Sequence, residues 1–353
     1  MHNVWLALSW ILALLFGLLA VSMFLMGNTL RGLILVIIVL LLLPPVRSVA
    51  QGILGRLIPD WLVAILVVGL LVVFVYLFAT DKPSSIYKSP EHEARLMEIY
   101  DARLEAWPVP YENTYIDTEY GPVHVIASGP EDAPPLLLLH ASAVSGVSWL
   151  DNIVGLNKHY RTYALDTIGD AGRSMLSDLD YYPQDGRALS HLVAEVSSKL
   201  GVERAYVVGA SQGGLIATNY ALYAPDRVEK VVLLGPMGYA GTNSSVLRIV
   251  LATFFPLKPV QENTVRWAFG DDPVVLERYG DWLRMYMDGV FSQQARPTLF
   301  STGQLQSLEM PVLLVLGERD NLVGDPENAK KLVEGVPQIQ VAVVDTGHLL
   351  GVE

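Results

Sequence analysis

Val207-Val208-Gly209-Ala210-Ser211-Gln212-Gly213-Gly214 joins a β-branched apolar run to a helix-like stretch and sets a serine among small residues at the junction. Gly209 and Gly213 frame Ser211 as G-x-S-x-G, the pattern in which a serine occupies a strained strand-to-helix turn with its Oγ exposed above a sheet. A larger side chain at either glycine would collide with neighbouring backbone. A glycine-rich helix entry with an incidental serine satisfies the same pentapeptide. Its meaning therefore rests on whether the chain also supplies a base, an acid and an oxyanion hole in the matching order.

On both sides of this stretch the chain alternates strands with helical segments. Strands are expected at 114–119, 122–127, 135–139, 161–165, 204–208, 228–234, 311–316 and 339–344, the first two flanking Tyr120-Gly121 as an antiparallel hairpin. The leucines of 135–139 and the apolar run 312–316 have no polar alternation, which suits strands covered on both faces of a parallel sheet. Helical stretches at 186–200, 213–223 and 326–334 lie between them, giving an α/β domain over 111–353. Residues 236–308 interrupt the alternation with helix-like content and read as a helical cap over the serine. Phe254, Phe255, Trp267, Trp282, Met285, Met287 and Phe291 within it either line an apolar cavity or pack the cap's own core.

A serine hydroxyl is barely nucleophilic at neutral pH, so it needs an adjacent base, and the base needs a group that fixes its tautomer. Asp320 follows one apolar run in Gly317-Glu318-Arg319-Asp320, and His348 follows the next in Asp345-Thr346-Gly347-His348. Serine, aspartate, histidine is the chain order of the nucleophile-elbow fold. Each falls after a strand, where parallel sheets place catalytic groups. Charge developing on a tetrahedral intermediate needs preorganised donors. The Gln212 N–H, directly after the nucleophile, is one, and the small-residue loop from His140 to Gly146 offers the Ser142 N–H as the second. His140 opens that loop and reads as a brace rather than a base. His2, His92, His124, His159 and His191 have no comparable setting.

Residues 108–350 resemble the α/β-hydrolase superfamily. The resemblance rests on Leu139-His140-Ala141-Ser142, Leu165-Asp166-Thr167-Ile168-Gly169-Asp170-Ala171-Gly172-Arg173-Ser174, Gly209-Ala210-Ser211-Gln212-Gly213-Gly214, Gly317-Glu318-Arg319-Asp320 and Gly347-His348. It implies a mostly parallel eight-stranded sheet flanked by helices, with Ser211, Asp320 and His348 as the catalytic triad and Asp166 and Arg173 bracing a loop beside the serine. The family usually has His-Gly where this chain has His140-Ala141, and usually continues with a helix after the histidine, whereas this chain stops at Glu353. Related epoxide hydrolases and haloalkane dehalogenases carry an aspartate at the elbow, so a serine implies acyl chemistry instead. No cofactor or metal is expected, since the glycines of 209–214 lack the lysine of a phosphate-binding loop.

The 353 residues contain no cysteine, which removes disulfides, thiolate metal sites and a cysteine nucleophile together. Apolar runs at 4–26, 30–46 and 61–79 hold a single charge, Arg31. About 20 residues span the ~30 Å hydrocarbon core of a bilayer, so residues 1–80 read as an all-α membrane segment of three transmembrane helices, the second run being short for the task. Lys/Arg counts of the short connections nearly balance and lean towards a cytoplasmic catalytic part. Residues 1–80 carry net +2 and the remainder net −14, so the globular part lacks the basic footprint that nucleic acid requires. Residues 81–110 form a polar linker and an amphipathic helix capped by Ser89, with Leu96, Ile99, Tyr100, Leu104 and Trp107 on one face.

The expectation is a membrane-anchored serine hydrolase that cleaves an ester or related acyl bond of a small or lipid-like substrate. A ligand sensor or partner-binding protein built on the same fold is the alternative. A transport role for residues 1–80 has less to support it, because these spans hold neither acidic residues nor histidines. Substrate identity and oligomeric state stay open at this level.

Overall fold

A strand that is apolar on both sides has to be covered on both sides, and the computed structural model describes how this chain does it. It describes residues 2–25, 28–46, 49, 60–80, 85–240, 248–249, 252, 257–269, 273–291, 293 and 299–351. Arg47, Arg56 and Pro59 of the second apolar connection, Lys82 of the linker, and Phe254 and Phe255 of the proposed cap lie outside the described residues. The chain divides into two compact units, Met1–Pro83 with Val250–Val260, and Ser84–Ile249 with Gln261–Glu353.

In the larger unit eight strands form one sheet: β1 (Tyr111–Thr118), β2 (Gly121–Ser128), β3 (Pro135–Leu139), β4 (Arg161–Leu165), β5 (Ala205–Ala210), β6 (Val228–Leu234), β7 (Val312–Gly317) and β8 (Ile339–Val344). Their order is β1-β2-β4-β3-β5-β6-β7-β8. β2 pairs antiparallel with β1 and β4, and every later pairing is parallel. The hairpin closes where expected, with Thr118 opposite Gly121. β1 nevertheless starts at Tyr111, three residues earlier than the pattern suggests, because Tyr111 still finds a partner in Ser128.

Strand β3 shows why its sequence does not alternate. Leu137 and Leu139 enter one core with Val207, Leu233 and Leu314, which is closed by α6 (Gly186–Lys199) and α7 (Gln212–Tyr223). Leu136 and Leu138 point into the opposite core with Ile126 and Ala164. That second core is covered by α4 (Pro90–Glu105) and α9 (Pro273–Gly289), through Leu96, Tyr100 and Leu104 on the first and Trp282 and Leu283 on the second. Burying one such leucine stabilises by roughly 1.5–3 kcal/mol, so both faces of the strand contribute. The amphipathic helix is thus a cover for the sheet, capped by Ser89 accepting from the His92 N–H. A single turn, α5 (Ile153–Leu156), and α10 (Thr302–Gln306) and α11 (Pro326–Val333) complete this unit, together with α8 (Lys258–Phe269), whose first three residues fall in the smaller one.

The smaller unit contains α1 (His2–Leu25), α2 (Thr29–Leu42) and α3 (Asp60–Thr80). Ala20, Met23, Ile34, Leu35 and Ile38 form its core, with Val67, Leu71 and Phe74 of α3 against them. Arg31, the one charge in the apolar runs, donates to Leu77 O at 2.9 Å and so pairs with an end-of-helix carbonyl of α3. Among the described residues one helical stretch, Leu6–Phe24, is long and apolar enough to cross a membrane. The expectation of three spans is not confirmed by the others. Thr29–Leu42 covers 14 residues, a rise of about 21 Å against the ~30 Å needed, and the described apolar part of α3 is limited to Trp61–Leu77. An anchor and a signal sequence share the length and composition of the Leu6–Phe24 stretch.

Candidate active site

Ser211 follows β5 and caps α7 with φ 51° and ψ −112°, a backbone conformation that costs a non-glycine residue about 1–3 kcal/mol. Its surroundings hold it there. The Ser211 N–H donates to Leu234 O at 2.9 Å, and Ser211 O accepts from Met237 N at 3.0 Å and Gly214 N at 3.0 Å. A Cβ on Gly209 would stand 2.3 Å from Gly213 O, and one on Gly213 would stand 2.1 Å from Leu139 O. Both glycines are therefore required by backbone contacts, and the turn folds only because they carry no side chain.

Asp320 and His348 reach the same point from the ends of β7 and β8. His348 Nδ1 lies 2.7 Å from Asp320 Oδ2, and His348 Nε2 lies 2.9 Å from Ser211 Oγ. The carboxylate accepts the Nδ1–H, which leaves Nε2 with its lone pair towards the serine hydroxyl. Asp320 Oδ1 is oriented in turn by the Leu322 N–H at 2.8 Å and the Val323 N–H at 3.2 Å. All three side chains are buried, Ser211 at 6% exposed, Asp320 at 7% and His348 at 5%. Gly235, at φ 49°, passes so close that a Cβ there would meet Asp320 Oδ2 at 3.2 Å.

The expected oxyanion donors lie on the elbow and the adjoining loop. Gln212 opens α7, and first-turn amides have no partner within a helix. The loop after β3 is braced by His140, whose Nδ1 donates to Ala141 O at 2.7 Å while Nε2 accepts from the Thr167 N–H at 2.8 Å. Both ring nitrogens are engaged, so His140 is not available as a base. Where the family pattern has a glycine, Ala141 takes an ordinary conformation, and the left-handed residue of the loop is Ala143 at φ 64°.

Two further carboxylates are fully enclosed beside this loop. Asp166 accepts from Tyr100 Oη at 2.9 Å, Gly146 N at 2.7 Å and Arg173 N at 2.9 Å, and lies 3.0 Å from His124 Nδ1. Burial alone would push its carboxyl up, but the hydrogen bond and charge of His124 and the Arg173 amide hold it below the usual carboxylate range. Asp170 accepts from Tyr286 Oη at 2.6 Å, Ala171 N at 2.9 Å and Ala143 N at 3.1 Å. With fewer donors, burial prevails and raises its carboxyl. Arg173 itself pairs with Asp101 at 2.6 Å.

Helices within 236–308 touch the site at named points. The Phe269 ring lies 6.1 Å from that of His348, and Asn321 Nδ2, next to Asp320, donates to Trp267 O at 2.9 Å. Trp282 is buried, and its indole N–H donates to Ala143 O at 2.7 Å. Phe291 departs from both readings open to it, since it is 46% exposed with Lys88 Nζ over its ring. Met285 lines a groove of about 890 Å³ beside Arg95, Arg103 and Arg278, which contains none of Ser211, Asp320 and His348. Phe269, Asn321 and Tyr286 were not singled out from sequence. Asp170 stood inside the quoted loop, and an acid between two glycines gave no sign that it would be enclosed.

Comparison with known proteins agrees with this fold. The alpha/beta hydrolase fold model matches residues 134–263. The uncharacterized carboxylesterase nap of Bacillus subtilis is 32% identical over 285 residues, covering 78% of this chain and 93% of its own. Carboxylesterase YbfK of the same organism is 31% identical, covering 76% and 92%. The crystal structure of naproxen esterase (carboxylesterase NP) from Bacillus subtilis superposes with a TM-score of 0.69 at 30% identity, over 75% of this chain and 94% of that one. Relatives of this identity, matched over nearly their whole length, make the chain a member of the alpha/beta hydrolase family, on its esterase-like side.

Proposed function

We propose that the chain is a carboxylesterase-type serine hydrolase working through an acyl-enzyme on Ser211. The observation that supports it most is the unbroken run of hydrogen bonds from Asp320 through His348 to Ser211 Oγ, at 2.7 and 2.9 Å. His348 Nε2 takes the hydroxyl proton as Oγ adds to the ester carbonyl, and Asp320 stabilises the imidazolium that forms. The Gln212 and Ser142 N–H groups receive the developing oxyanion. Collapse expels the alcohol, which takes its proton from His348, and water then repeats the sequence to release the acid and restore Ser211.

The proposed substrate is an ester with an apolar acyl or alcohol part. Phe269 beside His348 favours apolar groups over charged ones near the reacting carbonyl. Residues 236–308 act in this reading as a cap. The named carboxylesterases of Bacillus subtilis support the ester assignment by similarity.

Attachment to a bilayer through residues 1–80 belongs to the same reading. Leu14, Leu15, Trp61, Val72 and Val75 leave more than half of their surface exposed, an arrangement that water disfavours and lipid accommodates. Labelling the full-length protein with a fluorophosphonate probe tests the catalytic part. A single adduct on Ser211, with turnover of p-nitrophenyl esters, is expected, and an unlabelled Ser211 in the folded protein would overturn it. Alkaline carbonate extraction of membranes tests the attachment, with retention in the pellet as the expected result.

A further inference from the structure

Ala143 is one of two described non-glycine residues with positive φ, the other being the candidate nucleophile. An alanine left to itself leaves that region, because its Cβ crowds the following carbonyl. Here both peptide groups flanking Ala143 are held. The N–H goes to Asp170 Oδ2 at 3.1 Å, and the C=O accepts from Trp282 Nε1 at 2.7 Å. Asp170 Oδ1 is itself fixed by Tyr286 Oη at 2.6 Å. Trp282 and Tyr286 stand four residues apart and so share one face of α9. Beyond that helix the Gln293 N–H donates to Gly169 O at 2.8 Å, beside Asp170.

We propose that α9 is a clamp on the oxyanion loop, with Trp282 acting directly and Tyr286 through Asp170 as positioning residues for the Ser142 N–H. The clamp rests on the reading of Ser142 as an oxyanion donor. Its logic is geometric. Rotation about φ of Ala143 swings the Ser142–Ala143 peptide relative to the one that follows, so holding both planes fixes the segment that presents the Ser142 amide. His140 secures the other side of that segment through Ala141 O. The helix thereby links what covers the site to the donor geometry inside it, and neither tyrosine nor tryptophan needs to touch the substrate.

Kinetics of the full-length protein on p-nitrophenyl butyrate test this. W282F keeps most of the ring volume and loses the N–H, and kcat is expected to fall roughly 10- to 100-fold with KM within about 3-fold, as for a displaced rather than deleted donor. Y286F removes one oxygen, and about 3- to 10-fold is expected, with the melting temperature as a check on folding. Affinity for a trifluoromethyl ketone, whose serine adduct carries an alkoxide in the oxyanion hole, should fall in step with kcat/KM. Adding A143G to W282F should recover at least about 3-fold in kcat, because glycine holds positive φ unaided. A W282F enzyme at full kcat, a change confined to KM, or no recovery with A143G would overturn the clamp. If S211A is inactive while W282F is unimpaired, the clamp alone fails. If activity survives in S211A, the underlying reading fails and the clamp with it.

Discussion

Two buried aspartate–histidine pairs stand in the same unit, and they differ in what the second imidazole nitrogen meets. His348 Nδ1 lies 2.7 Å from Asp320 and its Nε2 lies 2.9 Å from a serine hydroxyl. His124 Nδ1 lies 3.0 Å from Asp166, but its Nε2 lies 3.0 Å from Asn113 Oδ1, and Tyr100 Oη closes the near side at 3.1 Å. Distances and burial are nearly the same in both. An amide offers no nucleophile, and the Tyr100 phenol is buried with its O–H already given to Asp166, so the second pair joins β2, α4 and the loop after β4, while the first faces a hydroxyl with which it could exchange a proton. An acid–base pair is made chemical by its third neighbour, and that neighbour is set by backbone shape at Ser211.

The comparison breaks most sharply on substitution of the two aspartates. Asp320→Asn removes the acceptor that fixes the tautomer of His348, and ester turnover is expected to fall by about 10⁴-fold with the protein still folded, read from kcat beside circular dichroism. Asp166→Asn should instead be a stability change of about 3–5 kcal/mol in urea unfolding, because it removes a buried charge on which several donors converge. Equal kinetic losses in the two variants would erase the distinction.

Acid sharpens it further. The folded Asp166 carboxyl is held below its unfolded value, so its stabilisation is present above the ordinary aspartate range near 3.9 and is lost as pH falls through the folded value. Wild-type unfolding midpoints should therefore drop on going from about pH 5 to 3, and Asp166→Asn should flatten part of that limb. A smaller effect is expected for Tyr100→Phe, about 1–2 kcal/mol of stability with kcat on p-nitrophenyl butyrate within about two-fold of wild type. A ten-fold loss of turnover there would mean that the second pair feeds the reaction after all.

Much of this was legible from residues alone, for reasons that differ by element. The strands can be read because most are apolar runs bounded by turn formers and the polar β1 is marked by the Tyr120-Gly121 turn it shares with β2, while β3 reveals its double burial by failing to alternate. The three groups now within hydrogen-bond reach of one another could be named because an elbow glycine cannot be replaced without a backbone collision, as the 2.1 Å approach at Gly213 makes plain. The contacts of Trp282, Tyr286 and Asp170 could not be read. They depend on where a helix some 140 residues from the loop after β3 comes to rest, and nothing in the local pattern of 273–289 encodes that. Trp282 looked like a core or cavity residue, and its indole N–H, the part that reaches Ala143, left no mark in the pattern. The amphipathic helix 90–105 showed its apolar stripe but not that Tyr100 on it would reach His124 and Asp166. For residues 1–80, apolarity is visible in three runs, and among the described residues one stretch, Leu6–Phe24, is both long and apolar enough to cross a membrane.

The hydrogen bond between Ser211 and His348 joins residues 137 positions apart. Strands β6, β7 and β8 lie side by side beyond β5, so His348, which follows β8, stands against Ser211 only when all of them are in place. Contacts of such sequence separation go with slow folding. Under the role proposed for Ser211, esterase turnover requires the assembled sheet, which makes turnover itself a readout of finished assembly.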